Sequence, residues 1–596
     1  MFEASFAELK PIRAKSLAQS RYPPAIAAGL LLAAAFPKIG IAGFAWIAPG
    51  LMLATALGKP GRERFRIGYV AGLAYYLPLL HWLLSIPVTG FPIFGWVALC
   101  AYLALYPATW VWLAAKVPGL RRQATGATQA GTNWLAASEA ISSWSWSRRM
   151  FWAFSCAAIW VALEMVVARF LGGFPWNQLG VSQYHLLPLV QLASFTGVYG
   201  ISFLVAWTSA SLFCAAAVII HRPALRSLWI GEILLPFVAV VAVFAFGFHR
   251  IERVPAAVRE MNVTLVQPSI PQTLIWNTEN NLERFRELIQ LSEQALTNRT
   301  DLLIWPEAGV PGLARWDTNI YPVITRFVRQ HRVWLILGSD DIGRPAHPAG
   351  PDDYDYYNAS FLVSPAGEFV ARYKKRNLVI FGEYIPLEHW LPFVKWFTPV
   401  QGSFTPGNGA VPFELTGEDE RPREPQSEPQ DGSPGASHRQ RVKTSVLICF
   451  EDTFAPLARE TAENDTDFLV NITNDGWFGE SAEPWQHAAT AMFRAVENGL
   501  PLVRCTNTGL TCWYDAVGRR RELFMDPNGS VYGAGFMTVK IPLLAPGERR
   551  PPTYYHQHGD WFGWGCVAVT AALAAMRFVH RNDRFRSSGS MSFYPK

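Results

Sequence analysis

Charge is what this sequence lacks. Only 16% of its 596 residues are Asp, Glu, Lys or Arg, against about a quarter in an ordinary soluble protein. The deficit is local. Residues 22–248 hold long apolar runs, whereas 250–550 have the composition of a soluble domain. One soluble domain is thereby excluded, and the chain is also too long for it. Lys and Arg sit mainly between the apolar runs. The formal charge of +6 therefore bears on membrane orientation and not on nucleic acid. Cysteine is scarce as well, with seven in all. Cys100, Cys156, Cys214 and Cys566 lie in apolar segments, as small hydrophobes do. The soluble part holds Cys449, Cys505 and Cys512, an odd number, so at most one disulfide forms there and Cys505–Cys512 is the candidate pair. No C-x-x-C or Cys/His spacing suggests zinc. Between Gly417 and Gln440 apolar residues are almost missing. Rich in Pro, Glu, Ser, Gln and Gly, residues 417–440 cannot bury enough surface to order themselves and read as a disordered insert.

What is present is a series of membrane spans. A span needs about 20 apolar residues. Runs near 22–37, 41–57, 67–87, 91–115, 151–169, 188–220 and 228–248 qualify, followed by a last one near 561–579. The run 188–220 exceeds one span and is compatible with an interfacial or re-entrant start. With the N-terminus inside, Lys10, Arg13, Lys15 and Arg21 are cytoplasmic. So are Lys59, Arg62, Arg64 and Arg66, then Lys116, Arg121, Arg122, Arg148 and Arg149, then Arg222 and Arg226, and finally Arg577, Arg581, Arg584 and Arg586. The opposite loops carry little beyond Lys38 and Arg169. This satisfies the positive-inside rule. Seven spans then precede the soluble domain, which lies outside the cytoplasm, and the eighth returns the tail. Ala33-Ala34-Ala35 resembles a signal-peptide cleavage site, but cleavage there would spoil the charge pattern. Glu164 falls inside an apolar run, where an ionisable group is costly. It reads as a functional group or as the partner of Arg169 or another polar neighbour. The stretch 117–150 is cytoplasmic in this reading, with Trp134, Trp144 and Trp146 along the membrane surface. The domain division expected is 1–250, 251–550 and 551–596.

The soluble part alternates strands and helices. Strands are expected at 261–267, 301–305, 333–338, 357–364, 367–374, 443–449, 467–472 and 501–506. Helices are expected near 279–297, 318–331, 454–464 and 484–499. Apolar strands alternating with helices argue for an α/β layered domain.

Three residues at strand ends carry chemistry. Cys449 ends Val446-Leu447-Ile448-Cys449, Glu307 ends Ile304-Trp305-Pro306-Glu307, and Lys375 ends Tyr373-Lys374-Lys375. A thiol becomes a good nucleophile only as thiolate. A carboxylate can take its proton and an ammonium can stabilise the oxyanion that follows. Taken alone, Cys449 reads more readily as a small buried residue, which is common for cysteine. The motifs around it decide. Ile304-Trp305-Pro306-Glu307, Tyr373-Lys374-Lys375 before Phe381-Gly382-Glu383-Tyr384, Ile448-Cys449-Phe450-Glu451 and Asn474-Asp475-Gly476-Trp477-Phe478-Gly479 resemble the nitrilase (carbon–nitrogen hydrolase) superfamily. His487, Arg494, Glu497 and Asn498 match as well. The spans before and after the domain, with Gly172-Gly173-Phe174-Pro175-Trp176, Gln267-Pro268 and Trp276, resemble its apolipoprotein N-acyltransferase branch over essentially the full length.

The resemblance implies a nitrilase-like four-layer α-β-β-α domain carried on eight spans of a bacterial inner-membrane protein. It implies Glu307 as general base, Lys375 as oxyanion stabiliser and Cys449 as nucleophile, with Glu383 and Glu451 in support. It further implies substrate contacts from Trp276, Trp477 and Phe450. For Glu383 an ion pair with a nearby Arg is the alternative, and for Trp276 and Trp477 an interfacial anchor. The implied reaction is ping-pong. Cys449 takes the sn-1 acyl chain of a phospholipid, phosphatidylethanolamine by expectation, and passes it to the α-amino group of a lipoprotein's S-diacylglyceryl cysteine. No metal or nucleotide cofactor is implied, and the enzyme is expected to be a monomer. Two positions depart from the family. Ile380 stands where Pro is usual before Phe381, and Phe450 stands where Tyr often follows the nucleophile. A membrane-tethered amidase and a non-catalytic lipoprotein-binding relative are the competing readings.

Overall fold

The structure is a computed structural model that describes residues 20–87, 92–117, 134–253, 259–275, 277–345, 347, 350, 353–386, 402–416, 441–543, 545 and 548–588. The expected insert 417–440 and Trp276 lie outside these. Among the described residues, four helices are long and apolar enough to cross a membrane: Pro92–Ala114, Trp146–Val167, Val198–His221 and Trp229–Glu252. Tyr22–Ala34, Ala42–Ala56, Leu187–Thr196 and Trp561–Arg577 are shorter apolar helical stretches. The Tyr22–Ala34 helix has 13 residues, roughly 20 Å at 1.5 Å per residue. That is less than the run 22–37 led one to expect. The helix Gly61–Leu79 starts earlier than expected and gives way to a 3₁₀ turn, His81–Ser85.

The long run 188–220 breaks into Leu187–Val190, Ala193–Thr196 and Val198–His221. Gly197 makes the last break, at φ 68°. A Cβ there would lie 2.7 Å from the Tyr555 ring, so only glycine fits. Of the partners expected for Glu164, Arg169 or another polar neighbour, it takes the second kind. Glu164 Oε1 accepts from the Trp160 indole (2.9 Å) and from the Leu179 amide (2.7 Å). Arg169 instead pairs with Asp560, at the start of the last helix. Cys505 and Cys512 are free buried thiols, not a disulfide. Cys505 donates to the carbonyls of Val266 and Ile304.

Twelve strands are described: β1 (Arg259–Gln267), β2 (Leu302–Ile304), β3 (Trp334–Gly343), β4 (Asp355–Val363), β5 (Phe369–Lys374), β6 (Pro412–Thr416), β7 (Arg441–Ile448), β8 (Phe468–Thr473), β9 (Leu502–Thr506), β10 (Cys512–Tyr514), β11 (Arg520–Leu523) and β12 (Gly535–Leu543). They form two six-stranded sheets, ordered β12-β1-β2-β3-β4-β5 and β11-β10-β9-β8-β7-β6. The middle of each is parallel and the edges are antiparallel. Strands buried on both faces read as continuous apolar runs, and β2 and β8 are such runs. β6, β10, β11 and β12 were not expected. They lie at or next to sheet edges. The β11 side chains Arg520, Arg521 and Glu522 are exposed, whereas β6 and β12 do bury alternate apolar residues, Phe413 and Leu415 in one and Val539, Ile541 and Leu543 in the other.

Val263, Ile304 and Ile336 of one sheet share a core with Val446, Ile448, Val470 and Ile472 of the other. The helices Asn281–Ala295 and Ile320–His331 bury Phe285, Leu288, Ile324 and Phe327 against Leu303, Leu335 and Leu337. The helix Glu483–Asn498 is buried along its whole length. Its Met492, Phe493 and Val496 join Leu469 and Leu502 in one core with residues of the apolar helices.

Gln486 on that helix joins the α/β part to the apolar helices. Its Oε1 accepts from the indoles of Trp82 (3.1 Å) and Trp176 (2.9 Å) and from the Asn177 amide (2.8 Å). Its Nε2 donates to the carbonyls of Pro37 (2.9 Å) and Leu79 (3.1 Å). All of its polar capacity is used at 1% exposure. Replacement by Leu orphans three buried donors, each costing about 1–3 kcal/mol. Gln486→Leu is expected to lower the melting temperature of the detergent-solubilised protein by about 5 °C or more. An unchanged melting curve would show that packing alone holds this seam.

Candidate active site

Cys449 is placed by a turn. β7 ends at Ile448, one residue earlier than expected, and Cys449 opens a 3₁₀ turn, Cys449–Thr453. Its φ is 51°. A left-handed non-glycine residue costs about 1–3 kcal/mol and persists only when its surroundings over-determine it. They do so here. Asn471 Nδ2 donates to the Cys449 carbonyl at 3.0 Å. Glu451, wholly buried, accepts from the Ile448 amide (2.8 Å), the amides of Arg376 (2.6 Å) and Asn377 (3.1 Å), and the Tyr373 hydroxyl (3.0 Å). Glu451 thus ties the Cys449 turn to the segment after Lys375. Burial pushes its carboxyl up, against those amides.

Glu307 follows β2 by three residues. β3 passes close beside it, and Gly338 is the reason it can. A Cβ at Gly338 would stand 2.7 Å from the Pro306 carbonyl and 2.8 Å from Glu307 Cα. Lys375 follows β5 and is 1% exposed. Its Nζ lies 3.2 Å from Glu307 Oε1 and 2.8 Å from Glu383 Oε1. Asn358 on β4 donates through one Nδ2 to the same two oxygens, at 2.8 and 2.7 Å. The second oxygen of Glu383 accepts from the Val379 amide at 2.8 Å. Glu383 therefore pairs with Lys375, not with an arginine.

Burial alone would pull the Lys375 ammonium down. Glu307 and Glu383 outweigh it and hold the group well above the ordinary lysine range. Burial pushes the Cys449 thiol well up. Glu307 adds to this, while Lys375 and a hydrogen bond with Thr473 oppose it. The resting site thus pairs a protonated thiol with a charged lysine.

Phe450 lies against Phe174 and Trp176, with ring centroids 6.1 Å away in each case, and against Phe454 at 5.1 Å. Phe174 and Trp176 belong to the loop after the Trp146–Val167 helix. The Cys449 turn therefore abuts the apolar helices. Trp477, in the 3₁₀ turn Asp475–Phe478, is half-buried.

Behind the turn lies a buried ion cluster. Arg504 donates to Asp452 (2.8 Å), Asn471 (3.1 Å) and both oxygens of Asp475 (3.0 and 2.9 Å). His487 bridges Asp452 (2.8 Å) and Asp475 (3.0 Å). Asp475, Glu483 and His487 are the one described group with ligand atoms close enough for a metal ion. They do not fit one, because the Arg504 guanidinium already fills the oxygens of Asp475. Sequence motifs mark Asp475 and His487 but not Asn358, Asn471 or Gln486. A lone amide in an otherwise apolar strand run was the available signal for the first two. Asp340 on β3 carries no motif either.

A protonated resting thiol sets a pH expectation. Alkylation of Cys449 by iodoacetamide, followed by peptide mass, should be slow at pH 7 and keep rising through pH 9, because the thiolate fraction grows with pH. A rate that is flat from pH 7 upwards would instead reveal a preformed thiolate.

Residues 262–535 match the carbon–nitrogen hydrolase family, and residues 28–211 match the apolipoprotein N-acyltransferase N-terminal domain. An apolipoprotein N-acyltransferase of Geobacter metallireducens is 33% identical over 575 residues, covering 94% of this chain and 96% of its own. One from Bradyrhizobium diazoefficiens is 28% identical over 531 residues, covering 86% and 85%. Among solved structures, Saccharomyces cerevisiae Nit3 of the nitrilase superfamily is 15% identical and covers 48% of this chain and 92% of its own, with a TM-score of 0.32. The likeness to the Geobacter protein runs through apolar helices and α/β part alike, and the chain belongs to the apolipoprotein N-acyltransferase family.

Proposed function

We propose that Cys449, Glu307 and Lys375 carry a two-step acyl transfer at the membrane face of the α/β part. The chain is an acyltransferase of lipoprotein maturation and a membrane protein. The observation that carries the reading is a buried ammonium bound to two carboxylates, electrostatically coupled to a thiol whose neighbour Phe450 packs on the membrane-proximal loop.

In the first step Glu307 takes the Cys449 proton and the sulfur attacks the sn-1 ester carbonyl of a phospholipid, phosphatidylethanolamine in this proposal. Lys375 stabilises the tetrahedral oxyanion. The C–O bond breaks, Glu307 returns the proton to the leaving alkoxide, and lysophospholipid departs from the thioester. In the second step the α-amino group of an S-diacylglyceryl cysteine attacks the thioester carbonyl. Glu307 removes the amine proton, a C–N bond replaces the C–S bond, and the thiol is reprotonated. Glu383 and Glu451 position Lys375 and the turn. Trp276, Trp477 and Phe450 contact lipid.

The framing extends the same reading. The four long helices, together with Tyr22–Ala34, Ala42–Ala56, Gly61–Leu79 and Trp561–Arg577, supply eight spans. Both termini are cytoplasmic, and the catalytic part faces the periplasm of an inner membrane. The division is 1–250, 251–550 and 551–596. The shared core between the sheets and the helices on their outer faces support a four-layer α-β-β-α arrangement. The enzyme acts as a monomer, since Glu307, Lys375 and Cys449 all come from one chain. Membrane-anchored donor and acceptor reach such a site by lateral diffusion.

The test is the intact mass of the purified protein after incubation with phosphatidylethanolamine. A hydroxylamine-labile acyl adduct is expected, absent in Cys449→Ala and reduced at least about 100-fold in rate in Glu307→Gln and Lys375→Met. An adduct that persists in Cys449→Ala, or small-amide hydrolysis with no adduct, would overturn the assignment.

A further inference from the structure

Two aspartates stand side by side near the end of β3, and only one has found a cation. Successive strand residues face opposite ways. Asp341 is buried on one face, where it takes Arg372 (2.5 Å), Arg315 (3.5 Å) and the Trp316 indole (3.3 Å). Asp340 is on the other face, the one shared with Gly338, which abuts Glu307. Two strand residues span about 7 Å, so Asp340 stands one strand repeat beyond Gly338, on the face that meets Glu307. In the sheet it is registered directly opposite Asn358, the residue that binds both Glu307 and Glu383. The Asp340 side chain is exposed, and no described residue gives its carboxylate a hydrogen bond or an ion pair.

The charge balance of this strand face is unusual. Lys375 is the one ammonium in contact with Glu307 and Glu383 among the described residues, and Asp340 adds a third carboxylate to that face. Arg372 and Lys374 alternate with Tyr373 and Lys375 along β5 and leave toward Asp341 and Tyr357 on the opposite face. The mutual repulsion is felt. Although Asp340 opens to solvent, the protein crowded around its carboxyl first, then Glu383 and Glu307, push that group up to about 7. A carboxylate held open beside like charges gains most from a cation brought by the substrate. The substrates of the proposed reaction carry one kind. An α-amino group, with an ordinary pKa of roughly 7.7–8.0, is mostly ammonium at neutral pH, and so is the ethanolamine head group of the donor.

We infer that Asp340 is a substrate-positioning residue that binds a primary ammonium, the acceptor's α-ammonium or the donor's head group, beside Glu307. This rests on the two-step reading above. Docked on Asp340, the acceptor ammonium gives one proton to the Glu307 carboxylate. The freed amine attacks the thioester carbonyl and sheds a second proton as the C–N bond forms. The C–S bond breaks, one of the two protons ends on the Cys449 sulfur, and the other passes to solvent. Asp340 itself exchanges no proton. It supplies the charge that brings the nitrogen to its base.

The two half-reactions separate the sources of the ammonium. Thioester formation is timed by intact mass with phosphatidylethanolamine and, in parallel, with phosphatidylglycerol, which has no ammonium. Aminolysis is timed by adding a synthetic S-diacylglyceryl-cysteinyl peptide to the preformed thioester. In Asp340→Asn, KM for the acceptor peptide should rise about tenfold or more, the weight of one charge-assisted contact, while Asp340→Glu recovers most of the loss. If the ammonium is the donor's, the loss falls on thioester formation from phosphatidylethanolamine and spares phosphatidylglycerol. A pH profile gives a signature that a packing role would not. Acceptor KM of the unaltered enzyme should climb as pH falls below about 7, where Asp340 gains a proton, and the Asn variant should lack that limb. Equal rates and equal KM in Asp340→Asn for both half-reactions, or equal losses with both donors and the acceptor, would overturn the inference. Failure of the unaltered enzyme to form a thioester would instead overturn the two-step reading.

Discussion

Lys375 sets the central constraint. An ammonium at 1% exposure is tolerated in a protein interior only when paired and hydrogen-bonded. Glu307 and Glu383 provide the pairing, and Asn358 clamps the two carboxylates from the neighbouring strand. Each of these groups is where it is because the others are. Gly338 lets β3 approach the Glu307 backbone, Glu451 ties the Lys375 segment to the nucleophile turn, and Cys449 accepts a left-handed conformation under that restraint. The electrostatic preorganisation of the site is therefore a property of the assembled strand ends and not of any one of them.

The second constraint is the seam with the apolar helices. Gln486 and His487 are neighbours on one buried helix and serve different partners. Gln486 spends its whole hydrogen-bonding capacity on Pro37, Leu79, Trp82, Trp176 and Asn177. His487 enters the ion cluster of Asp452, Asp475 and Arg504 under the nucleophile turn. The loop that carries Trp176 is anchored in turn by Glu164, through the Leu179 amide. An ionisable residue within an apolar helix thereby becomes structural, because it holds the loop on which Phe450 rests. The position of the thiol relative to the apolar helices follows from these contacts.

Much of this was legible beforehand because the signals were local. Eight strands and four helices of the α/β part showed in apolar runs and periodicity, and their ends shifted by only a few residues. β6, β10, β11 and β12 were not legible. β6, β10 and β11 are short, and all four pair because a neighbouring strand offers an edge, which is a tertiary circumstance. The apolar runs announced membrane helices but not their breaks. Gly197 interrupts the run 188–220 because Tyr555, far along the chain, occupies the space of a side chain. Arg169 likewise turned from the near Glu164 to the distant Asp560.

By itself the sequence determined the kinds of chemistry available: a thiol, a carboxylate and an ammonium at strand ends, and apolar runs that belong in a bilayer. Those are matters of composition, spacing and motif, and they reside in a few consecutive residues. Only the tertiary structure decided which groups meet. It placed one amide between two glutamates, left Asp340 open while Asp341 was neutralised, and kept Cys505 and Cys512 apart as free thiols. The reason is that electrostatic and hydrogen-bond energies depend on distance and burial, and chain separation carries no information about either.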